Sequence, residues 1–242
     1  MQTKVLSVGG SIIAPDGPDT EFLEGFSRMI IDWLNGNPET RLILVAGGGG
    51  PARIYQKAFR ELEGKLHDVA GKKLYDSEAE MNAAADWIGI MATRINAQLL
   101  KATFGSLCCQ SIVIDPTKVT DFTDRILVAA GWKPGFSSDN DAVLLAERFN
   151  ASTVVNLSNI EKVYTDDPRT NPDAKPLDSI SWADFRKMVG DEWKPGKNCP
   201  FDPIASKKAE SMGLTVICAS GHDIKNIRAI LDGNEYVGTT IK

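Results

Sequence analysis

The sequence predicts an α/β fold, a three-layer αβα sandwich with a mostly parallel central sheet. Short apolar runs alternate with segments of helical period, which gives parallel strands covered by helices on both faces. Two of those runs each end in a glycine-rich loop that leads into a helix. At 242 residues and 43% hydrophobic, the chain suits one α/β domain around a buried sheet.

The first strand covers about 3–8 and closes on Gly9-Gly10-Ser11. Phe22, Phe26, Met29, Ile30 and Trp33 recur at helical spacing, predicting a helix over about 20–34 that Asn35-Gly36-Asn37-Pro38 breaks. The second strand, 41–46, enters Gly47-Gly48-Gly49-Gly50. Pro51 suits the first position of the next helix, and Ile54, Ala58 and Leu62 continue one face of it. A long helix over about 78–103 carries Trp87, Ile88, Met91, Ile95 and Leu99. Segments 111–114 and 126–130 read as strands, 141–149 as helix and 153–157 as a buried strand.

Residues 165–178, with prolines at 168, 172 and 176, read as loop. Ser181-Trp182-Ala183-Asp184 resembles a capping box opening a short helix. Segment 190–203, rich in Gly, Pro, Lys and Asp, reads as a mobile loop. A helix near 204–212, a strand at 214–219, a helix at 223–232 and a short strand close the chain. Ligands of such a sheet lie beyond the carboxyl ends of its strands, where both glycine loops fall.

Composition removes several classes of function. The net charge is −5 with no basic block, which disfavours nucleic acid as a partner. No run of 18 apolar residues occurs, and no basic-then-apolar leader precedes the first strand, so a cytoplasmic protein without membrane partners is expected. Cys108, Cys109, Cys199 and Cys218 form no CxxC and read as small core or loop residues. The two histidines, His67 and His222, have no serine or cysteine motif beside them, which leaves no basis for a histidine-dependent nucleophile or a multi-histidine metal site.

The glycine loops point to chemistry. Glycine lets a backbone approach a bulky anion and aim its N–H groups at it, and a helix starting there adds free N–H groups and a positive end. Two such loops in one sheet suit two phosphate-bearing ligands facing each other, as phosphoryl transfer requires. Gly47–Ala52 also fits G-x-G-x-x-A, but it follows the second strand, and no acid ends a strand about 20 residues later. A Walker P-loop is absent. A purely structural glycine turn remains the bland alternative.

Five segments in order carry a resemblance. They are Val8-Gly9-Gly10-Ser11, Ala46 to Arg53, Asp86-Trp87-Ile88-Gly89 with Ala92 to Ala97, Phe136-Ser137-Ser138-Asp139, and Asn159 to Pro168. Together with Gly238-Thr239-Thr240-Ile241, this pattern resembles the amino acid kinase family and, within it, the archaeal-type uridylate kinases. The resemblance implies transfer of the ATP γ-phosphoryl group to UMP with Mg²⁺, giving UDP and ADP, in a homo-oligomer, often a hexamer, formed partly through the helix near 78–103. It implies an acceptor-binding half over about 1–150 and an ATP-binding half over about 151–242 of one domain.

The resemblance also assigns residues. Gly48, Gly49 and Arg53 would hold the acceptor phosphate, Asp86 the ribose hydroxyls, and Asn96 would help frame the pocket, with Ser137 and Ser138 touching the nucleotide. Gly9, Gly10 and Ser11 would cradle the transferred group, and Asn159, Tyr164, Asp167 and Pro168 would border ATP. Asp139 is the acid of its motif. Ser7 stands where most of the family carries a lysine, and Glu161-Lys162 replaces an Asp-Gly turn, so Lys162 or Lys207 is expected to supply the missing cation.

Bland readings compete. Arg53 and Asp86 also suit solvated helix faces, Ser137–Asp139 a helix cap, and Tyr164 a core aromatic. The rival functions are a kinase of aspartate, glutamate or acetylglutamate, and a non-catalytic nucleotide- or anion-binding relative.

Overall fold

The computed structural model describes residues 1–70, 74–190 and 199–242, with the backbone alone for 67–70. β1 (Gln2–Val8) leads into a single helical turn, α1 (Gly10–Ile13), and then α2 (Thr20–Gly36). β2 (Thr40–Ala46) feeds the helical hairpin α3 (Gly49–Ala70) and α4 (Glu78–Ala102). β3 (Ile126–Ala129), α5 (Ser138–Arg148) and β4 (Thr153–Ser158) follow. An arm with β5 (Val163–Tyr164) and β6 (Pro176–Leu177) precedes β7 (Ser179–Ile180) and α6 (Trp182–Val189). α7 (Pro203–Ser211), β8 (Thr215–Ser220), α8 (Ile224–Asp232) and β9 (Thr239–Ile241) complete the chain.

Among the described residues, seven strands form one sheet in the order β3-β2-β1-β4-β8-β9-β7. The five from β3 to β8 run parallel, and β9 returns antiparallel to β8. Strand period two sorts the core into two layers. Leu6, Val8, Leu42, Leu44 and Val128 face α2 and α8, against Phe26, Ile30, Trp33 and Ile227. Val5, Ile43, Val45 and Leu127 face α5, α6 and α7, against Val143, Leu145, Phe185 and Ala205. The expected three-layer αβα architecture follows directly.

Three local expectations change, and a fourth lies mostly outside the described residues. Segment 111–114 forms no strand: Val113 alone bridges Ala129. α3 begins at Gly49, so Pro51 is its third residue. α5 begins three residues earlier than its apolar pattern, because Ser137 Oγ accepts from the Asn140 N–H and caps it. The loop expected over 190–203 falls mostly at 191–198, outside the described residues.

The apolar series on α3 and α4 also turns out to face outward. Ile54, Leu62, Trp87, Met91 and Ile95 are exposed, Ile95 by 70%. α4 packs inward through small residues instead: Ala85, Ala92, Asn96 and Ala97 are buried with Ile90 and Leu100. Helical spacing finds an apolar stripe but not which side of the helix the sheet occupies.

Candidate active site

Two glycine loops touch at the carboxyl ends of β1 and β2. A Cβ on Gly10 would collide with the backbone nitrogens of Gly48 and Gly49, and one on Gly47 with the nitrogen of Gly10. Glycine is therefore demanded by backbone-to-backbone contact between the loops. The Gly47 N–H donates to Val8 O at 3.0 Å and the Gly50 N–H to Ala14 O at 2.8 Å, fixing one loop on the other. Asn96, buried in α4, donates through Nδ2 to Gly47 O (2.8 Å) and Gly48 O (3.1 Å). Asn96 thus shapes the pocket by holding the loop's carbonyls, and it is not among the residues that line the cleft.

Beside the second loop lies an open cleft of about 300 Å³. Gly48, Gly49, Arg53, Asp86, Ser137 and Ser138, all expected on the acceptor side, line it together. Arg53 spends Nη2 on Pro15 O at 3.2 Å and is otherwise exposed. Asp86 Oδ2 accepts from the Gly135 N–H at 3.0 Å, which ties α4 to the loop before α5. Ser137 is both the cap of α5 and a wall of the cleft, so the capping and the binding readings coexist. A guanidinium, loop N–H groups and a carboxylate around one cleft suit a ligand with an anionic end and a hydroxyl-bearing end.

The cleft also uses Gln56, Gly89, Ile90, Thr93, Gly131, Gly135 and Phe136, which the sequence reading did not assign to the site, although Gly89, Thr93 and Phe136 lie in its motifs. A helical-face signal was available: Gly89, Ile90 and Thr93 lie three, four and seven positions after Asp86, and Gln56 three after Arg53.

Deeper, Asp139 sits at the start of α5. Ser7 Oγ donates to its Oδ1 at 3.1 Å, and the Asp202 N–H to its Oδ2 at 3.3 Å. Burial and the neighbouring Asp202 carboxylate push the Asp139 carboxyl up to about 7, against the two hydrogen bonds. Among the described residues no cation acts on it. Asp202, to which the sequence reading gave no role, caps α7 by accepting from the Ile204 and Ala205 N–H groups. Asp141 is fully buried: Oδ2 accepts from the Trp132 N–H at 3.2 Å and Oδ1 has no partner. Burial pushes its carboxyl up to about 7 as well.

On the donor side, Gly9 and Ser11 are part-exposed and Gly10 is buried, with the Gly9 N–H on Leu157 O at 2.8 Å. Asn159 is exposed, its Oδ1 3.1 Å from His222 Nε2. Tyr164, on β5, is half-buried and Pro168 exposed. Both Asp167 oxygens are engaged by Arg169, which holds that carboxyl down to about 2. Lys162 pairs with Asp178 instead of reaching the phosphoryl loop. Lys207 lies exposed on α7, the helix whose cap meets Asp139. Among the described residues no helix is long and apolar enough to cross a membrane.

Comparison with known proteins bears on the family and the fold. The profile of the amino acid kinase family matches residues 2–220. A uridylate kinase of Methanospirillum hungatei is 31% identical over 247 residues, covering 100% of this chain and 95% of its own. A uridylate kinase of Pyrococcus abyssi is 30% identical, with 98% of each chain covered. The crystal structure of uridylate kinase from Archaeoglobus fulgidus superposes with a TM-score of 0.78 at 29% identity, over 100% of both chains. The UMP kinase of Bacillus anthracis, at 19% identity and a TM-score of 0.70, shares the fold. With the family match spanning residues 2–220 of 242, the chain belongs to the amino acid kinase family.

Proposed function

We propose that this chain transfers the γ-phosphoryl group of ATP to UMP, forming UDP and ADP. The observation that carries the reading is the cleft in which Arg53, the Gly48–Gly49 backbone and Asp86 converge beside the phosphoryl loop of β1. Relatives about 30% identical over the whole chain that are named uridylate kinases support it.

In-line phosphoryl transfer needs positioning and charge neutralisation more than covalent help from the protein. Arg53 offers the planar fork that suits a phosphate, and Gly48 and Gly49 add N–H donors. Asp86 keeps Oδ1 for the ribose hydroxyls while Oδ2 stays on Gly135. Gly9, Gly10 and Ser11 hold the transferred group, and Asn159, Tyr164 and Pro168 border ATP. Asp167 serves there through its turn, since Arg169 occupies its carboxylate. In this reading one domain divides into an acceptor half, about 1–150, and an ATP half, about 151–242, and works in the cytoplasm.

Asp139 and Asp202 bring two carboxylates together with no cation acting on Asp139 among the described residues, a donor set that fits a hard divalent ion. Mg²⁺ would neutralise charge between the two phosphates, and these carboxylates would hold it or its water shell. Lys207, exposed on the helix that Asp202 caps, is the candidate for a second positive charge. The exposed stripe Trp87, Met91 and Ile95 of α4 supports assembly into a homo-oligomer with that helix at the contact. Light scattering of Ile95→Asp tests it, smaller particles supporting the contact and unchanged mass opposing it.

One observation favours a rival. A neutral Ser7 hydroxyl faces Asp139, with no cation on it among the described residues, as a nucleotide-binding relative without catalysis would tolerate. Coupled ADP release with UMP as acceptor separates the two: turnover supports the kinase, and ATP binding without turnover supports the rival.

A further inference from the structure

α4 grips the loop between β3 and α5 at several points. Thr93 Oγ1 accepts from the Gly131 N–H at 2.8 Å and donates to Ile90 O at 2.7 Å. Asp86 Oδ2 holds the Gly135 N–H. Arg94 Nη2 reaches two carbonyls, Gly131 O at 3.4 Å and Trp132 O at 3.3 Å. Its guanidinium carbon lies 5.8 Å from the centre of the Trp87 ring.

The loop needs such anchorage. It begins at Gly131 and includes Gly135, whose φ of +80° is open to few other residues. Within it, the Phe136 N–H donates to Lys133 O at 3.2 Å, a single turn's worth of local structure. Yet this loop delivers Phe136 and Ser137 to the cleft wall. Arg94 itself does not line the cleft. Its Nε is buried with no partner, Nη1 lies 3.9 Å from Met91 Sδ, and Nη2 alone meets the two carbonyls.

We propose that Arg94 is a positioning residue for the acceptor: by holding the Gly131 and Trp132 carbonyls it sets where Phe136 and Ser137 stand. Thr93 and Asp86 fix the N–H groups of the same loop, so α4 grips it through donors and acceptors alike. One nitrogen, Nη2, spans both carbonyls, while Nη1 on Met91 Sδ and the Trp87 ring seat the guanidinium plane; a lysine keeps the charge and the donors but not that seating. The inference rests on the acceptor reading above, because the loop matters to catalysis only if the cleft binds the acceptor.

The test compares Arg94→Met and Arg94→Lys by two readouts: steady-state kinetics with UMP and ATP varied in turn, and amide hydrogen exchange of residues 131–137 in the unliganded protein. Arg94→Met is expected to raise the KM for UMP about tenfold while the KM for ATP stays within about twofold, with Arg94→Lys between it and the parent. Exchange at Gly131 and Gly135 is expected to quicken in Arg94→Met. An unchanged KM for UMP, or a parallel rise in both KM values, overturns the proposal. If Arg94→Met does not fold, Arg94→Lys carries the same comparison. If the parent protein does not phosphorylate UMP, the functional reading fails, and the exchange data still judge Arg94: faster exchange supports its hold on the loop and unchanged exchange refutes it.

Discussion

Ser7 and Asp139, 132 positions apart in the chain, meet where β1 ends and α5 begins: Ser7 Oγ donates to Asp139 Oδ1 at 3.1 Å. A neutral hydroxyl thus faces the buried acid where most of the family would place a lysine. The hydrogen bond favours the charged carboxylate, but burial and Asp202 outweigh it and leave the carboxyl at about 7.

Ser7→Ala removes the donor, so the Asp139 carboxyl rises further. If the ionised form works in catalysis, the acid limb of the kcat/KM profile should move to higher pH by about one unit, the equivalent of one hydrogen bond. An unmoved acid limb would separate Asp139 from the titration. Asp139→Asn should lower kcat by about 10²–10³, the scale of a lost electrostatic contact in a dry site. Parent-like turnover would reduce Asp139 to a structural residue.

Asp141 gives a pH dependence of stability. Its folded carboxyl titrates near 7, above an ordinary value of 3.8, so the folded state binds the extra proton between those limits. The stability it contributes is full below about 4 and is lost as pH rises through about 7. Asp141→Asn keeps an oxygen for the Trp132 N–H and removes the titration. Between pH 5 and 7 the parent should lose stability more steeply than the variant, by up to about 1.4 kcal/mol per pH unit. Parallel denaturant-derived stability curves would contradict this.

How much of this was legible in the sequence follows from how local each signal is. β1, β2 and their loops were readable because a continuous apolar run and the glycines after it are neighbours in sequence. The acceptor residues followed from the same local motifs and their resemblance. The cap at Ser137 escaped the apolar pattern, since the first turn of α5 is polar. Which side of α4 the sheet occupies was not legible, because small residues such as Ala92 and Ala97 do the inward packing. Ser7–Asp139 and the Arg94 contacts join segments far apart in the chain, and no periodicity encodes them. Lys162 looked available as a cation, yet Asp178, between β6 and β7, claims it.

That pairing makes the two candidate lysines distinguishable. Lys162→Met breaks a pair with an exposed partner, worth about 0–1 kcal/mol, so kcat should fall less than about threefold. Lys207→Met should lower kcat by about 10²–10³ if Lys207 swings toward the transferred group. Rates measured at saturating ATP and UMP decide between them. The opposite ranking would return the role to Lys162, and parent-like rates in both would leave Mg²⁺ as the site's cation.

Arg53→Ala should raise the KM for UMP about 10–100-fold, since a charged hydrogen bond is worth about 1.5–3 kcal/mol, with little effect on the KM for ATP. Asp86→Asn should weaken UMP more than 2′-deoxy-UMP, which lacks one hydroxyl for Oδ1 to accept. Equal losses for the two nucleotides would mean that Asp86 acts through Gly135 alone.

The most direct test of the central claim is ATP-dependent ADP release, with Mg²⁺, against UMP, aspartate, glutamate and acetylglutamate in parallel. UMP should be phosphorylated fastest, with UDP recovered in equal amount to ADP. A faster rate with any of the carboxylate acceptors, or no turnover with UMP despite ATP binding, would contradict the account.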